Sequence, residues 1–170
     1  KNPPPLVMGE REFQGSGDVF PIELADMRDA HVLLHGADPF AGLVIRPEDT
    51  RLELERELKA GYIRLRTRYL TDAGDAARFE PVLLKSFSTF LVMFRTVLRL
   101  SGEDAGRDPE AVVRAVAERV GFDPAPLVAI VRARAGTAKL EPGPDSAVVT
   151  GYLDAVAEVV RYVDRFQAAA

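Results

Sequence analysis

From Leu24 onward the apolar residues recur every three or four positions, the period of an amphipathic helix rather than a strand. Leu24, Met27, His31 and Leu34 fall on one face and Gly36 offers a C-terminal stop, which predicts a helix over 24–35. Asp38-Pro39 to Pro47 is a connector. Thr50-Arg51-Leu52-Glu53 fits a capping box and opens a helix over 50–72, with the stripe Leu54, Leu58, Tyr62, Leu65 and Tyr69. Gly61 inside it costs roughly 1 kcal/mol against alanine, so a close packing contact is expected there. A helix over 76–101 carries Phe79, Leu83, Phe87, Phe90, Phe94 and Leu98 and is apolar nearly all round, the mark of a bundle's buried centre. Two short helices, 109–121 and 124–135, each open on Asp-Pro and close on glycine. After Glu141-Pro142-Gly143-Pro144, Asp145 is the expected cap of a last helix over 145–167, with the stripe Val149, Tyr152, Leu153, Val156, Val160, Val163 and Phe166. The predicted fold class is mainly α, a bundle of five to six helices with a short N-terminal β segment.

That β segment is Asp18 to Glu23, β-branched and aromatic, with Pro21 confining it to an edge. Leu6-Val7-Met8 is a second short candidate. Two such strands make no stable sheet, so they call for partners from elsewhere. The chain accordingly divides into an irregular part, 1–23, and a helical bundle domain, 24–170. It starts on Lys1 in a proline-rich run, without an initiator methionine, and reads as a cut or processed piece of something longer.

Composition narrows the function classes. Hydrophobic residues are 47% of the 170 and charged ones 28%, the balance of a globular domain and not of a disordered chain. The absence of cysteine excludes a thiol nucleophile, a thiolate metal site and a disulfide, and leans towards a cytoplasmic location. A net charge of −4 argues against coating nucleic acid by bulk charge. The most apolar window, Val82–Leu100, is interrupted by Lys85, Arg95 and Arg99, so no membrane partner is expected.

The inventory of chemistry is thin. His31 and His35 stand four apart, a spacing that lets two imidazoles share a metal on a helix, but Val32 replaces the glutamate of His-Glu-x-x-His and no third ligand is in sight. Packing or hydrogen bonding is the plainer reading of His31. Arg28 and His35, six residues between them, resemble the ribonuclease motif of helical HEPN domains, where the arginine would hold the scissile phosphate and the histidine serve as acid or base. Arg64, Arg66 and Arg68 form a basic cluster; Arg64 and Arg68 share a face suited to a phosphate or carboxylate, or, more plainly, to pairing with the neighbouring glutamates. Lys85 and Ser86 are polar exceptions on an apolar helix, and Arg95 and Arg99 there suggest snorkelling or a polar groove. Gly15-Ser16-Gly17-Asp18 lacks the Gly-Lys-Ser/Thr ending of a phosphate loop.

Asp18-Val19-Phe20-Pro21-Ile22-Glu23-Leu24, followed by His31-Val32-Leu33-Leu34-His35-Gly36-Ala37-Asp38-Pro39, resembles the back half of bacterial nucleotidyltransferase-superfamily proteins of the minimal or antibiotic-modifying type. In that family a small α/β catalytic domain ends in such a strand, and a helical bundle follows. The resemblance implies that 1–23 is a strand remnant of the catalytic domain and that Glu23 matches the third carboxylate of its site. It also implies Mg²⁺ and a nucleoside triphosphate as cofactor and substrate of the whole protein, held by two aspartates one residue apart. This chain has no Asp-x-Asp. The expected function is therefore a helical acceptor-binding or partner domain, not catalytic by itself. Its partner would be a catalytic half or a second copy. Arg64, Arg68, Lys85 and Ser86 are the expected substrate-binding groups, sharing one cleft with Glu23. A stand-alone interaction or antitoxin-like module and a HEPN-type nuclease are the alternatives.

Overall fold

Proline at a first helical position is already committed to helical φ and loses no hydrogen bond there. In the computed structural model, which describes residues 7–72, 75–140, 143 and 146–166 (the side chains of Ala76 and Ala77 aside), three helices begin this way. The described elements are α1 (Glu10–Gln14), α2 (Pro21–Ala30), α3 (Pro47–Asp72), α4 (Ala76–Leu100), α5 (Pro109–Val120), α6 (Ala125–Arg134) and α7 (Ala147–Arg165). The expectations placed on Lys1–Leu6, Glu141, Pro142, Pro144 and Asp145 lie outside the described residues.

The mainly α bundle stands. α4 is its axis, touching α2, α3, α5, α6 and α7. Phe79, Leu83, Phe87, Phe90, Phe94 and Leu98 are fully or almost fully buried along it. Leu54, Leu58 and Leu65 of α3 and Val149, Tyr152, Val156 and Val163 of α7 converge on the same core, with Tyr62 and Tyr69 half-buried beside it. By length and composition alone Arg78–Leu100 would also serve as a membrane-crossing helix; here its apolar face is covered by the bundle. Gly61 meets the expected close contact: a Cβ there would lie 3.2 Å from Phe90 Cζ. Asp108 caps α5 by accepting from the Ala111 N–H at 2.8 Å, and Gly121 closes it at φ +90°.

The N-terminal third departs from expectation. No strand occurs among the described residues, and Asp18–Glu23 is not one. Its Pro21 is the first residue of α2, and Glu23 completes an acidic first turn at the positive end of the helix dipole. Of the β-branched and aromatic residues there only Ile22 is buried, while Val19 and Phe20 are exposed. α2 also ends early. His31 is extended (ψ 157°), so 31–35 is not helical. His31 Nδ1 bonds the Arg28 carbonyl at 2.9 Å, occupying one carbonyl of the last turn. Leu34 is 92% exposed and had no core to reach. At α3, Thr50 is not the cap: the helix starts at Pro47, and the Thr50 hydroxyl donates to the Arg46 carbonyl. No apolar periodicity announces α1, which occupies part of the segment expected to be irregular.

Candidate functional site

An open cleft of about 1360 Å³ lies between α1, α2, the 37–41 segment and the outer faces of α3 and α4. Its construction follows from the early start of α2. With Pro21 as first residue, Ile22 and Asp26 stand one turn apart, and Glu23, Met27 and Ala30 continue the adjoining row. α4 supplies Ser88, Thr89, Val92 and Met93, and α3 adds Glu57. The opposite wall is pinned by aromatic contacts. Phe13 meets Phe40 edge to face at 5.1 Å, His31 lies against Phe40 at 4.5 Å, and the Gln14 amide donates to the Pro39 carbonyl at 2.7 Å.

Ile22, Leu24 and Ala25 seat α2 on the bundle, and polar bonds reinforce them. Arg99 of α4, its side chain 20% exposed, donates to Asp26 at 2.8 Å and Asp29 at 2.9 Å. Arg107 adds a bond to the Asp29 carbonyl at 2.8 Å, and Arg95 donates to the Arg107 carbonyl. The groove anticipated beside these arginines is thus filled by α2.

The cleft's charge is one-sided. Glu10, Glu23, Asp26, Asp38 and Glu57 line it, with no lysine or arginine among the lining residues. Asp26 is neutralised by Arg99, and Asp38 faces His31 Nε2 at 3.3 Å. Glu57 has only long contacts, 3.8 Å each, to Arg56 and Arg64. No ion pair among the described residues reaches Glu10 or Glu23.

The sequence candidates are dispersed. Glu23 lines the cleft; Arg64, Arg68, Lys85 and Ser86 do not. Arg68 pairs with Asp72 at 2.8 Å and Arg64 reaches Glu57, while on the opposite side of α3 Arg51 pairs with Glu55 and Lys59 with Asp164. These bonds raise the Lys59 ammonium and lower the Asp164 carboxyl, the hydrogen bond between them being the main cause of each. Lys85 is exposed on α4. Ser86 is turned inwards: it donates to the Leu83 carbonyl at 2.9 Å and sits 3.2 Å from the hydroxyl of buried Tyr152. Arg28 closes α2 while His35 lies in the following segment, so the pair shares no helix, and neither do His31 and His35. No group of three His, Asp or Glu able to hold a metal occurs among the described residues.

Glu57, Asp26 and Thr89 are site residues that sequence reasoning missed. Reading Pro21 as a helix start would have exposed the Glu23–Met27–Ala30 row, but nothing local marks which faces of α3 and α4 it meets. Comparison with family models, with curated proteins and with solved structures yields no match to this chain.

Proposed function

We infer that the chain is the helical partner domain of a nucleotidyltransferase-like protein, the part that presents an acceptor and not the part that activates a nucleotide. One observation carries the reading: Glu23, the residue matched to the family's third carboxylate, stands exposed on the wall of the large cleft. A cleft bordered by the bundle on one side is where a two-part transferase would orient an acceptor. The resemblance rests on the residues Asp18–Leu24 and His31–Pro39 themselves, since that first segment opens a helix. Mg²⁺ does not fit the described residues, because Glu23 has no grouped carboxylates beside it. No step through the metal is derived for this chain.

The test has two arms. The coding sequence 5′ of the Lys1 codon should continue in frame into Gly-Ser and Asp-x-Asp. The protein so encoded should transfer a labelled nucleotide in the presence of Mg²⁺, with Glu23→Gln slowing transfer at least about tenfold. A start codon adjoining Lys1, or transfer indifferent to Glu23, overturns it. An interaction module is the second reading, favoured by the exposed run Val32-Leu33-Leu34 beside the cleft. A HEPN-type nuclease gains no comparable support, as Arg28 and His35 lack a common helix.

A further inference from the structure

The cleft's walls carry apolar surface that nothing among the described residues covers. Met27 is 39% exposed on its wall, with Phe13, Phe40 and Val92 half-buried around it and Ile22 and Met93 buried beneath. Immediately after His31, Val32 is 78% and Leu34 92% exposed, so apolar surface continues out of the cleft along the same segment. Consecutive exposed apolar residues of this kind mark a contact surface. The cleft is also larger than the roughly 300–1,000 Å³ typical of small-molecule sites.

The shape of the occupant follows from hydrogen bonding. No strand, and so no open sheet edge, exists among the described residues, so an extended peptide would find no ladder here. A helix brings its backbone bonds with it and can lay a bare apolar face into such a groove. Its sign follows from the rim. Among the described residues Glu10 and Glu23 have no ion-pair partner, Glu57 has only distant ones, and no lysine or arginine lines the space. Met27 supplies an exposed side chain that adapts to varied apolar partners.

We propose that this cleft is a docking groove for a basic amphipathic helix of a partner protein, its apolar face on Met27, Phe40 and Val92 and its lysines or arginines opposite Glu10, Glu23 and Glu57. The inference does not rest on the transferase reading, and binding is measured without nucleotide. Two labelled synthetic helices of about 18 residues share one leucine face, one with a lysine polar face and one with glutamate; they are titrated into the full chain by fluorescence anisotropy. The lysine peptide should bind about tenfold or more tighter than the glutamate peptide and weaken as salt is raised. The double variant Glu23→Lys/Glu57→Lys should remove that preference, while Glu118→Lys on α5 leaves it. Circular dichroism checks folding, and Glu23→Gln/Glu57→Gln, with no added charge, should move binding the same way by a smaller factor. Equal binding of both peptides, or a preference surviving both double variants, overturns the proposal. So does complete displacement by spermine at equal charge concentration, which would make the cleft a site for small organic cations.

Discussion

Ser86 offers a sharp test, because the same hydroxyl suits a ligand contact by sequence and a core contact by structure. Its proton goes to the Leu83 carbonyl, so the Tyr152 hydroxyl, 3.2 Å away and fully buried, donates to it. Ser86→Ala removes the acceptor of that phenol. An orphaned buried donor costs about 1–3 kcal/mol, offset by roughly 0.5 kcal/mol of alanine's better helix propensity, for a net loss of about 1–2 kcal/mol. Tyr152→Phe removes the donor instead and leaves Ser86 still bonded to Leu83, a loss of about 1 kcal/mol. In the double variant no polar group is orphaned, so it should be no worse than Tyr152→Phe alone. Urea melts of the four proteins should therefore give a coupling of about 1–2 kcal/mol, and the Ser86→Ala midpoint should fall by roughly 2–4 °C per kcal/mol on heating. A stability-silent Ser86→Ala, or strictly additive losses, refutes the reasoning. Burial also holds the Tyr152 phenol in its neutral form, its pKa pushed far up. This stabilisation is complete below about pH 10, the unfolded phenol's value, and is lost as pH rises above it.

Three further outcomes are expected. Gly151→Ala should destabilise by about 1–2 kcal/mol in urea titration, because its Cβ would fall 2.4 Å from Pro126 Cγ across the α6–α7 contact, and overpacking against a rigid ring exceeds the gain in helix propensity. Arg99→Gln should accelerate amide exchange in α2 by about tenfold while leaving α5 to α7 unchanged, since both of its carboxylate bonds end on α2. Glu110, held low chiefly by Arg114 and then Arg132, Glu158 by Arg161 and Asp164 by Lys59 all stabilise the fold above the ordinary carboxylate range near pH 4. The urea midpoint should hold from pH 7 to about 5 and drop below 4, with the drop shrinking in about 1 M salt because these groups are solvent-exposed.

The bundle was legible because its long helices repeat their apolar stripe over about four to six turns, too many for chance. Phe79 to Leu98 and Leu54 to Tyr69 needed no tertiary information. The first 46 residues had no such redundancy. Val19, Phe20 and Ile22 are three residues of strand-like character beside a proline, and only the helix that follows distinguishes an edge strand from a first turn. His31 and Leu34 continue the stripe of Leu24 and Met27 by coincidence of spacing, on a segment with no core beneath it. Of the site, Glu23 was visible as an isolated carboxylate. The company it keeps was not, since Glu57, Thr89 and Val92 reach it only through the packing of α2 on α3 and α4. The Arg64–Arg68 face reads alike in sequence and in structure; its pairing with Glu57 and Asp72 follows the helical spacing that the sequence already contains.

The attachment of α2 by Arg99 gives the cleft walls of unequal permanence. One wall belongs to α4, the central helix of the bundle, whereas α2 rests on four buried residues and the Arg99 bonds, and the 37–41 segment on a few polar and aromatic contacts. A ligand seated there stabilises the docked wall by mass action, about 2.7 kcal/mol at a hundredfold excess over its dissociation constant. That increment slows the partial opening of residues 10–46 and leaves α5 to α7 exchanging as before. Protease nicking or deuterium uptake confined to the N-terminal third therefore reports occupancy directly, so a compound or an extract fraction can be screened before its contents are identified.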